Sequence, residues 1–202
     1  MTAVRTRATF DGGKQAIGAM TPVDSTDAAR VAVRAATLNA FTIDVEDYFH
    51  VAALSSAISR SSWETREFRV SASTERLLAL LDERGITGTF FVLGWVAERV
   101  PQLVRRIAAA GHEVACHGYS HQLIYTQSQE TFRDETRHAK QILEDLIGEA
   151  VRGYRAASFS ITPKSRWALD TLIDLGFEYD SSIFPVRHDR YGMPGEIGRA
   201  HV

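Results

Sequence analysis

The stretch Glu113-Val114-Ala115-Cys116-His117-Gly118-Tyr119-Ser120-His121 joins a short apolar run to two histidines that are four residues apart. The apolar run predicts a buried β-strand, so His117 stands at the end of that strand and His121 follows about one turn later. Two neutral imidazoles that converge on one point are a common part of a catalytic metal site. A pair with this spacing also arises by chance, and one core imidazole beside one surface imidazole is the alternative interpretation.

Acidic residues at the end of an earlier apolar strand are the candidates for a third ligand. The segment Thr42-Ile43-Asp44-Val45-Glu46-Asp47 carries three acids, and Arg155 ends a later strand. Two histidines and one carboxylate leave a metal position open for water, which is typical of a hydrolase rather than of a structural site. Side chains from several strand ends that meet on one rim are typical of active sites in α/β barrels.

The composition is that of an ordinary globular domain, with 202 residues, 45% hydrophobic and 24% charged, and a net charge of -2. This near-neutral charge gives no electrostatic reason to expect nucleic acid or an anionic membrane surface as a partner. The single cysteine, Cys116, excludes an internal disulfide, and on an alternating strand it faces away from its neighbour His117. No apolar run reaches the ~20 residues of a membrane span and no secretory signal is visible, so we expect a cytoplasmic protein without membrane insertion.

From residue 41 onward, apolar runs of strand length alternate with stretches of helix length. Strands are predicted at 41–45, 87–93, 113–116, 151–155 and 177–181, and helices at 73–84, 101–110, 128–147 and 163–175. This alternation predicts an α/β fold with a parallel sheet, although its units are fewer than the about eight of a closed barrel. Residues 1–39 lack strand periodicity, so we expect a flexible extension there, with at most a short helical turn at 31–38.

Motifs spread over most of the chain carry a resemblance to a known family. They are Thr87-Gly88-Thr89-Phe90-Phe91-Val92-Leu93-Gly94, Gly111-His112-Glu113-Val114 leading into the histidine pair, Arg155 to Ser160, and Gly176-Phe177-Glu178-Tyr179-Asp180-Ser181-Ser182. From about Phe41 to Gly195 the chain resembles the polysaccharide deacetylases, carbohydrate esterases with a NodB-like domain. The opening Asp44-Val45-Glu46-Asp47-Tyr48-Phe49 is similar to the branch that includes exopolysaccharide-associated, peptidoglycan-deacetylase and allantoinase-like enzymes.

The resemblance implies a distorted (β/α) barrel, of which this chain would hold about five units. We therefore expect residues 40–196 to be a truncated catalytic domain. Residues 197–202 correspond to a possible translation of a common sequencing-library adapter, so we expect them to be a non-native tail without function. In an incomplete barrel, the strand edge at 179–182 should be unpaired. The segment 184–202 should then be extended and poorly packed, with Arg187, His188 and Arg190 solvated.

The resemblance also implies roles for single residues in the acid and histidine motifs. The acid ligand departs from the family pattern, because Val45 stands where many members have a second aspartate. Glu46 shares the face of Asp44 on an alternating strand, so it is the expected ligand, with Asp47 as the alternative. The other implied assignments are Asp44 as the catalytic base and His117 and His121 as metal ligands.

Residues late in the chain are expected to complete the site. Arg155 matches a family arginine that pairs with the catalytic acid and fixes its orientation. The family's usual late histidine motif, which supplies the general acid, has no match here, and His188 could reach the pocket from a loop. Asp180 matches a later family motif that supports Arg155 or the pocket wall. Tyr48, Phe49 and His50 directly follow the acids and could line the sugar site or be core aromatics, so the candidates for the substrate pocket are Tyr48, Asp180 and His188.

The implied reaction is metal-assisted hydrolysis of N-acetyl groups on a bacterial polysaccharide. The expected cofactor is a divalent ion, preferably zinc, although the mixed nitrogen and oxygen ligands would also accept cobalt, nickel or iron. An allantoinase-like hydrolase of a small non-peptide C–N bond and an inactive glycan-binding fragment are the alternatives. A long aromatic-lined groove would favour the glycan, and a closed pocket would favour the small amide. The expected partner is thus an N-acetylated glycan, and the sequence leaves the oligomeric state open.

Overall fold

The computed structural model describes residues 39–188, 191–195 and 200–201. The extension predicted for residues 1–39 lies outside these ranges except for its last residue, and so do the helical turn expected at 31–38, Arg190 and most of the tail at 197–202. The chain from Ala40 to Val202 forms one compact unit. Among the helices of the described ranges, none is long and apolar enough to cross a bilayer. The domain boundaries, the tail and the cytoplasmic location stay predictions.

A parallel sheet whose strands follow the order of the chain forms the centre of the described unit. Its parallel strands are β1 (Thr42–Val45), β2 (Thr89–Val92), β3 (Glu113–Cys116), β4 (Gly153–Tyr154) and β5 (Tyr179–Asp180). Because all of them run in the same direction, their carboxyl ends meet along one edge. This arrangement confirms the predicted α/β fold and is consistent with an incomplete barrel of about five strand–helix units.

The outer side of β5 corrects one expectation. A short strand β6 (Ala200–His201) pairs with it in antiparallel fashion, with Tyr179 opposite His201. The prediction of an unpaired edge is therefore wrong for 179–180. The free backbone N–H and C=O groups of an edge strand can form hydrogen bonds with another extended segment, and β6 is that segment here. The packing of the last segment also differs in part, because Met193 is buried, whereas Arg187 and His188 are exposed as expected.

Helices cover the sheet and bury their apolar faces against it. They are α1 (Val70–Arg84), α2 (Gly94–Arg99), α3 (Pro101–Ala109), α4 (Gln129–Ile147) and α5 (Trp167–Asp174). The core that they share with the strands includes Phe90, Val92, Val104, Ile107, Leu143 and Leu172, all fully buried. The longest helix, α4, has both of the predicted ends. Ser128 accepts the Thr131 N–H at 3.0 Å, and Gly148 ends the helix at a φ of 74°.

Two helix boundaries differ from the sequence prediction. α1 begins at Val70 rather than at Ser73, because Asp47 from a distant segment caps it by accepting the backbone N–H groups of Arg69 and Val70 at 2.6 and 2.9 Å. α2 was not predicted, since six residues are too few to show helical periodicity. It packs closely on α4 because it begins at a glycine. A Cβ at Gly94 would lie 2.9 Å from the Cβ of Ala139.

Candidate metal centre

Three side chains at the carboxyl edge of the sheet form a compact cluster of possible ligands. Glu46 follows β1, and His117 and His121 follow β3. One ligand atom of each lies within 4.8 Å of the others. The Oε2 atom of Glu46 is 3.0 Å from Nε2 of His121. Two ligands at ~2.1 Å from a tetrahedral ion stand roughly 3.4 Å apart, so this spacing suits a shared ion.

The atoms of this cluster lack other partners in the described part of the chain. Oε2 of Glu46 and Nε2 of His117 are buried and make no hydrogen bond, and the same holds for Nδ1 of His121, whose other ring nitrogen, Nε2, is the one that contacts Glu46. Buried polar atoms are normally paired. A buried carboxylate oxygen and an imidazole nitrogen that lack hydrogen bonds and lie near a second imidazole are electron-pair donors that a cation can satisfy, so the residues present suit a divalent metal.

The imidazole of His117 is held in the tautomer that a metal ligand requires. Its Nδ1 is 2.8 Å from the carbonyl oxygen of Arg155. A carbonyl can only accept, so Nδ1 carries the proton and the lone pair is on Nε2. Burial lowers the pKa of His117, while the charge of Asp44 opposes this shift, and the ring is therefore neutral. A carbonyl partner of this kind is the usual outer support of a metal-binding histidine.

A sharp reversal of the chain after β3 brings His121 back towards His117. Gly118 has a φ of 74° and His121 a φ of 52°, so both lie in the left-handed region. For a non-glycine residue this conformation is unfavourable, and such residues concentrate at functional sites. The result is a separation of 5.4 Å between the centroids of the two imidazole rings.

Asp44 lies beside the cluster, and Arg155, which directly follows β4, holds it. Nη1 of Arg155 donates to Oδ1 of Asp44 at 2.7 Å, and its Nη2 donates to Thr42 and Ser181 at 3.0 and 2.9 Å. The guanidinium carbon of Arg155 also lies over the ring of Phe91, 4.0 Å from the ring centroid. The second carboxylate oxygen of Asp44 is then left 3.8 Å from Nε2 of His117. One oxygen is therefore clamped, and the other faces the cluster.

Residues 63–179, more than half of the chain, match the family model described as polysaccharide deacetylase. The chain belongs to the polysaccharide deacetylase family. This match confirms the resemblance that the motifs indicate. The family is metal-dependent, and the cluster of Glu46, His117 and His121 is its possible metal site in this member.

Two curated relatives and one crystal structure illustrate the membership. A peptidoglycan-N-acetylglucosamine deacetylase of Bacillus cereus is 32% identical over 98 residues, which are 48% of this chain and 36% of the relative. A chitooligosaccharide deacetylase of Sinorhizobium fredii is 34% identical over 100 residues, or 49% of this chain and 44% of the relative. A crystal structure from Mycobacterium smegmatis, assigned to the polysaccharide deacetylases, has a TM-score of 0.60 and 33% identity over 72% of this chain and 50% of that one. The chain spans half or less of the length of these family members.

Glu46 carries its charge within a largely buried site of this family member. Burial alone would raise the pKa of Glu46, but the neighbouring imidazoles, that of His121 above all, lower it overall. A carboxylate beside imidazoles is thus favoured over a carboxylic acid. His50, which directly follows the acid motif, is the additional histidine of this neighbourhood.

The structure gives Asp47, the alternative ligand, a different position. Its Oδ1 accepts the N–H of Tyr48 at 3.0 Å, and its Oδ2 accepts the N–H groups of Arg69 and Val70. Both oxygens are used by the backbone, and Asp47 is not part of the ligand cluster. We therefore correct the alternative assignment, because Asp47 links the turn after β1 to the start of α1.

Two of the three residues expected at the substrate pocket lie elsewhere. Asp180 is only 2% exposed and accepts hydrogen bonds from the N–H and hydroxyl of Ser182, so it cannot line an open pocket. Burial raises its pKa to about 6. Tyr48 packs its ring under the guanidinium of Arg69 at 4.9 Å and against Phe49. Asp180 is therefore an internal residue rather than part of an open pocket wall, and Tyr48 packs against neighbouring side chains.

An open groove leads away from the cluster. Its inner part, about 340 Å³, is lined by His50, Trp63 and His121, among others. Its outer part, about 760 Å³, is lined by Tyr125 and by His188, whose ring stacks on Tyr191 at 3.9 Å. The two parts share the lining residues Val51, Ala52, Ser55 and Leu123. A larger depression at Arg105 and Glu113, about 920 Å³, lies at the opposite edge of the sheet and contains no cluster residue.

Proposed function

We propose that this protein is a metal-dependent hydrolase that removes N-acetyl groups from a polysaccharide. The observation that carries the proposal is the position of Asp44. Its Oδ1 is bound by Arg155, and its Oδ2 faces the cluster of Glu46, His117 and His121. A carboxylate that is oriented beside a metal position is the arrangement that hydrolysis of an amide requires.

The proposed ligands are Glu46, His117 and His121, and the proposed ion is zinc. Two imidazole nitrogens and one carboxylate oxygen are a common ligand set of catalytic zinc. When bound, the ion supplies Lewis-acid polarisation of the acetamide carbonyl and a more acidic water. The ligand set also accepts cobalt, nickel or iron, so the identity of the metal is part of the proposal.

The residues of the chain perform the proton transfer and the orientation. Oδ2 of Asp44 takes a proton from the water that attacks the acetamide carbon, while Arg155 holds Oδ1 and so fixes the direction of the carboxylate. The C–N bond then breaks, acetate leaves, and the proton that Asp44 took from the water passes to the sugar nitrogen, which becomes an amine. Correct placement of such a base is commonly worth about 10²–10⁴-fold in rate.

The shape of the groove supports a glycan as the substrate. A small cyclic amide calls for an enclosed pocket, whereas here the space beside His121 is open and continues to Tyr125 and Tyr191. Tyr125 is 41% exposed, and an aromatic face of this kind can pack on a sugar ring. Relatives named for peptidoglycan and chitooligosaccharides agree with an N-acetylated glycan.

The test is acetate release from N-acetylated oligosaccharides by the metal-stripped protein, with and without added zinc. We expect release from chitin oligomers or peptidoglycan fragments only when the ion is present. Allantoin and a simple acetamide serve as small-amide controls and should be hydrolysed poorly. Rapid hydrolysis of the small amides with no release from either glycan would overturn the assigned substrate class.

A further inference from the structure

The guanidinium of Arg155 binds other residues besides the proposed base. Nη1 donates to Oδ1 of Asp44 at 2.7 Å, whereas Nη2 donates to the hydroxyl oxygens of Thr42 and Ser181 at 3.0 and 2.9 Å. Nε donates to the carbonyl oxygen of Ser181 at 3.3 Å. A guanidinium is planar and its N–H groups point in fixed directions. Acceptors that hold Nε and Nη2 therefore also determine where Nη1 points.

These acceptors come from opposite ends of the parallel strands. Thr42 begins β1, the first strand in the order of the sheet, and Ser181 directly follows β5, the last of the parallel strands. Thr42 stands two residues before Asp44, so the two side chains share one face of β1. The backbone N–H of Ser181 donates to the carbonyl oxygen of Tyr154 on β4 at 2.8 Å. Ser181 is thus fixed to the strand that Arg155 directly follows.

The acid next to Ser181 does not act as an acceptor for the arginine. The carboxylate oxygens of Asp180 accept the N–H and the hydroxyl of Ser182 instead. Among the described residues, Asp44 is the single carboxylate within ion-pair distance of Arg155. Neutral oxygens of Thr42 and Ser181 therefore orient the guanidinium, and no second carboxylate competes with Asp44 for its charge.

We propose that Thr42 and Ser181 are positioning residues, whose oxygens fix the rotation of the Arg155 guanidinium and thereby the direction of the Asp44 carboxylate. This role rests on the base that the proposed function assigns to Asp44, and it adds two residues to the site. Without these acceptors the guanidinium keeps its charge but is free to turn, so Oδ2 of Asp44 is no longer held towards the metal cluster. A misplacement of about 1 Å can lower the rate of a reaction ~10²-fold.

Three substitutions test the two hydroxyl groups with little change in shape. Thr42→Val removes a hydroxyl and keeps a β-branched side chain, Thr42→Ser keeps the hydroxyl, and Ser181→Ala removes the second one. Thr89→Val is the matched control. Thr89 stands opposite Thr42 on the neighbouring strand β2, and its hydroxyl donates to Glu113 instead of accepting from Arg155.

Activity is measured in the full chain as acetate release from chitin oligomers with zinc supplied, and zinc affinity by competition with a chromophoric chelator. We expect Thr42→Val combined with Ser181→Ala to lower kcat ~10²-fold, with each single change costing less. KM and zinc affinity should stay near the wild-type values, because neither residue is among the ligands. Thr42→Ser should keep most of kcat, and Thr89→Val all of it. A role in packing alone would not be rescued by the hydroxyl of Thr42→Ser.

Crystal structures of the metal-free wild type and the double variant give a measurement that does not depend on activity. In the double variant, the distance between Nη1 of Arg155 and Oδ1 of Asp44 should exceed that of a hydrogen bond. Wild-type kcat in the double variant, or an unchanged contact between Arg155 and Asp44 in its structure, would overturn the positioning role and leave the proposed function intact. If the wild-type protein itself releases no acetate while the double variant loses the contact, the proposed function fails and the positioning role stands.

Discussion

The carboxyl edge of the sheet and the helical layer behind it satisfy their polar groups in opposite ways. In α4, Ser128 caps the first turn and Gly148 ends the helix, so the ends of this helix have regular partners. At the sheet edge, Glu46, His117 and His121 each keep a buried atom without a hydrogen bond. The difference shows that stability and chemistry are placed in different parts of the molecule, as expected where function requires locally unfavourable features.

The largest expected effect tests the sheet edge alone. Asp44→Asn removes the proton acceptor but keeps the shape of the side chain, so turnover on an N-acetylated oligosaccharide should fall about 10²–10⁴-fold. Zinc affinity should stay near that of the wild-type protein, because Asp44 is not among the ligands. Steady-state acetate release and chelator competition measure the two quantities. Wild-type turnover in this variant would mean that the base is another residue.

A substitution in the helical layer should produce the reverse pattern. Leu143 on α4 is fully buried, and Leu143→Ala should lower the free energy of unfolding by about 2–5 kcal/mol. Zinc affinity of the folded fraction should not change. Urea unfolding with and without zinc gives both values. A change in intrinsic zinc affinity would indicate that the two regions are more tightly coupled than the comparison implies.

The buried carboxyl group of Asp180 should make stability depend on pH. Burial raises its pKa to about 6 from 3.8, so between these values the folded protein holds a proton that the unfolded chain has lost. The protonated Asp180 stabilises the folded protein fully below pH ~4. As the pH rises from there through about 6, the free energy of unfolding falls by on the order of 3 kcal/mol. Asp180→Asn should lack that loss. Urea unfolding of both proteins from pH 4 to 7 measures it, and parallel pH curves would contradict the assignment.

A smaller effect concerns the backbone of His121. Because its φ of 52° is unfavourable for a side chain with a Cβ, His121→Gly should stabilise the metal-free protein by about 1 kcal/mol. The same change should abolish tight zinc binding. Thermal unfolding in excess chelator and then in excess zinc separates the two results. A metal-free variant that unfolds well below the wild type would show that the imidazole is needed for packing.

The parts of the fold that depend on local patterns could be predicted from the sequence. The apolar runs placed β1 and β3, and the capping residues placed both ends of α4. β6 could not be predicted, because two residues carry no periodicity and pair only through an edge that the fold creates. α1 began earlier than expected because its cap, Asp47, comes from a distant part of the chain.

The residues of the candidate site also fall into two groups, those that a local pattern predicts and those that a tertiary contact determines. Alternation along β1 indicated that Asp44 and Glu46 share a face, and the structure brings both of them to the histidine pair. The use of Asp47 as a cap depends on a tertiary contact, so nothing local distinguishes it from a ligand. His50 directly follows the acid motif, but the hydrogen bond that its Nδ1 accepts from the Asp47 N–H becomes evident only in the structure.

The most direct test of the metal centre compares zinc binding by two neighbouring acid variants, Glu46→Gln and Asp47→Asn. Equilibrium dialysis of the metal-stripped proteins gives the number of zinc ions per folded chain and the dissociation constant. We predict one tightly bound zinc in the wild-type protein and in Asp47→Asn. Glu46→Gln should lose at least about 100-fold in affinity, because a direct ligand should matter no less than a residue that only supports a ligand. Wild-type affinity in Glu46→Gln, together with loss of zinc in folded Asp47→Asn, would contradict this prediction.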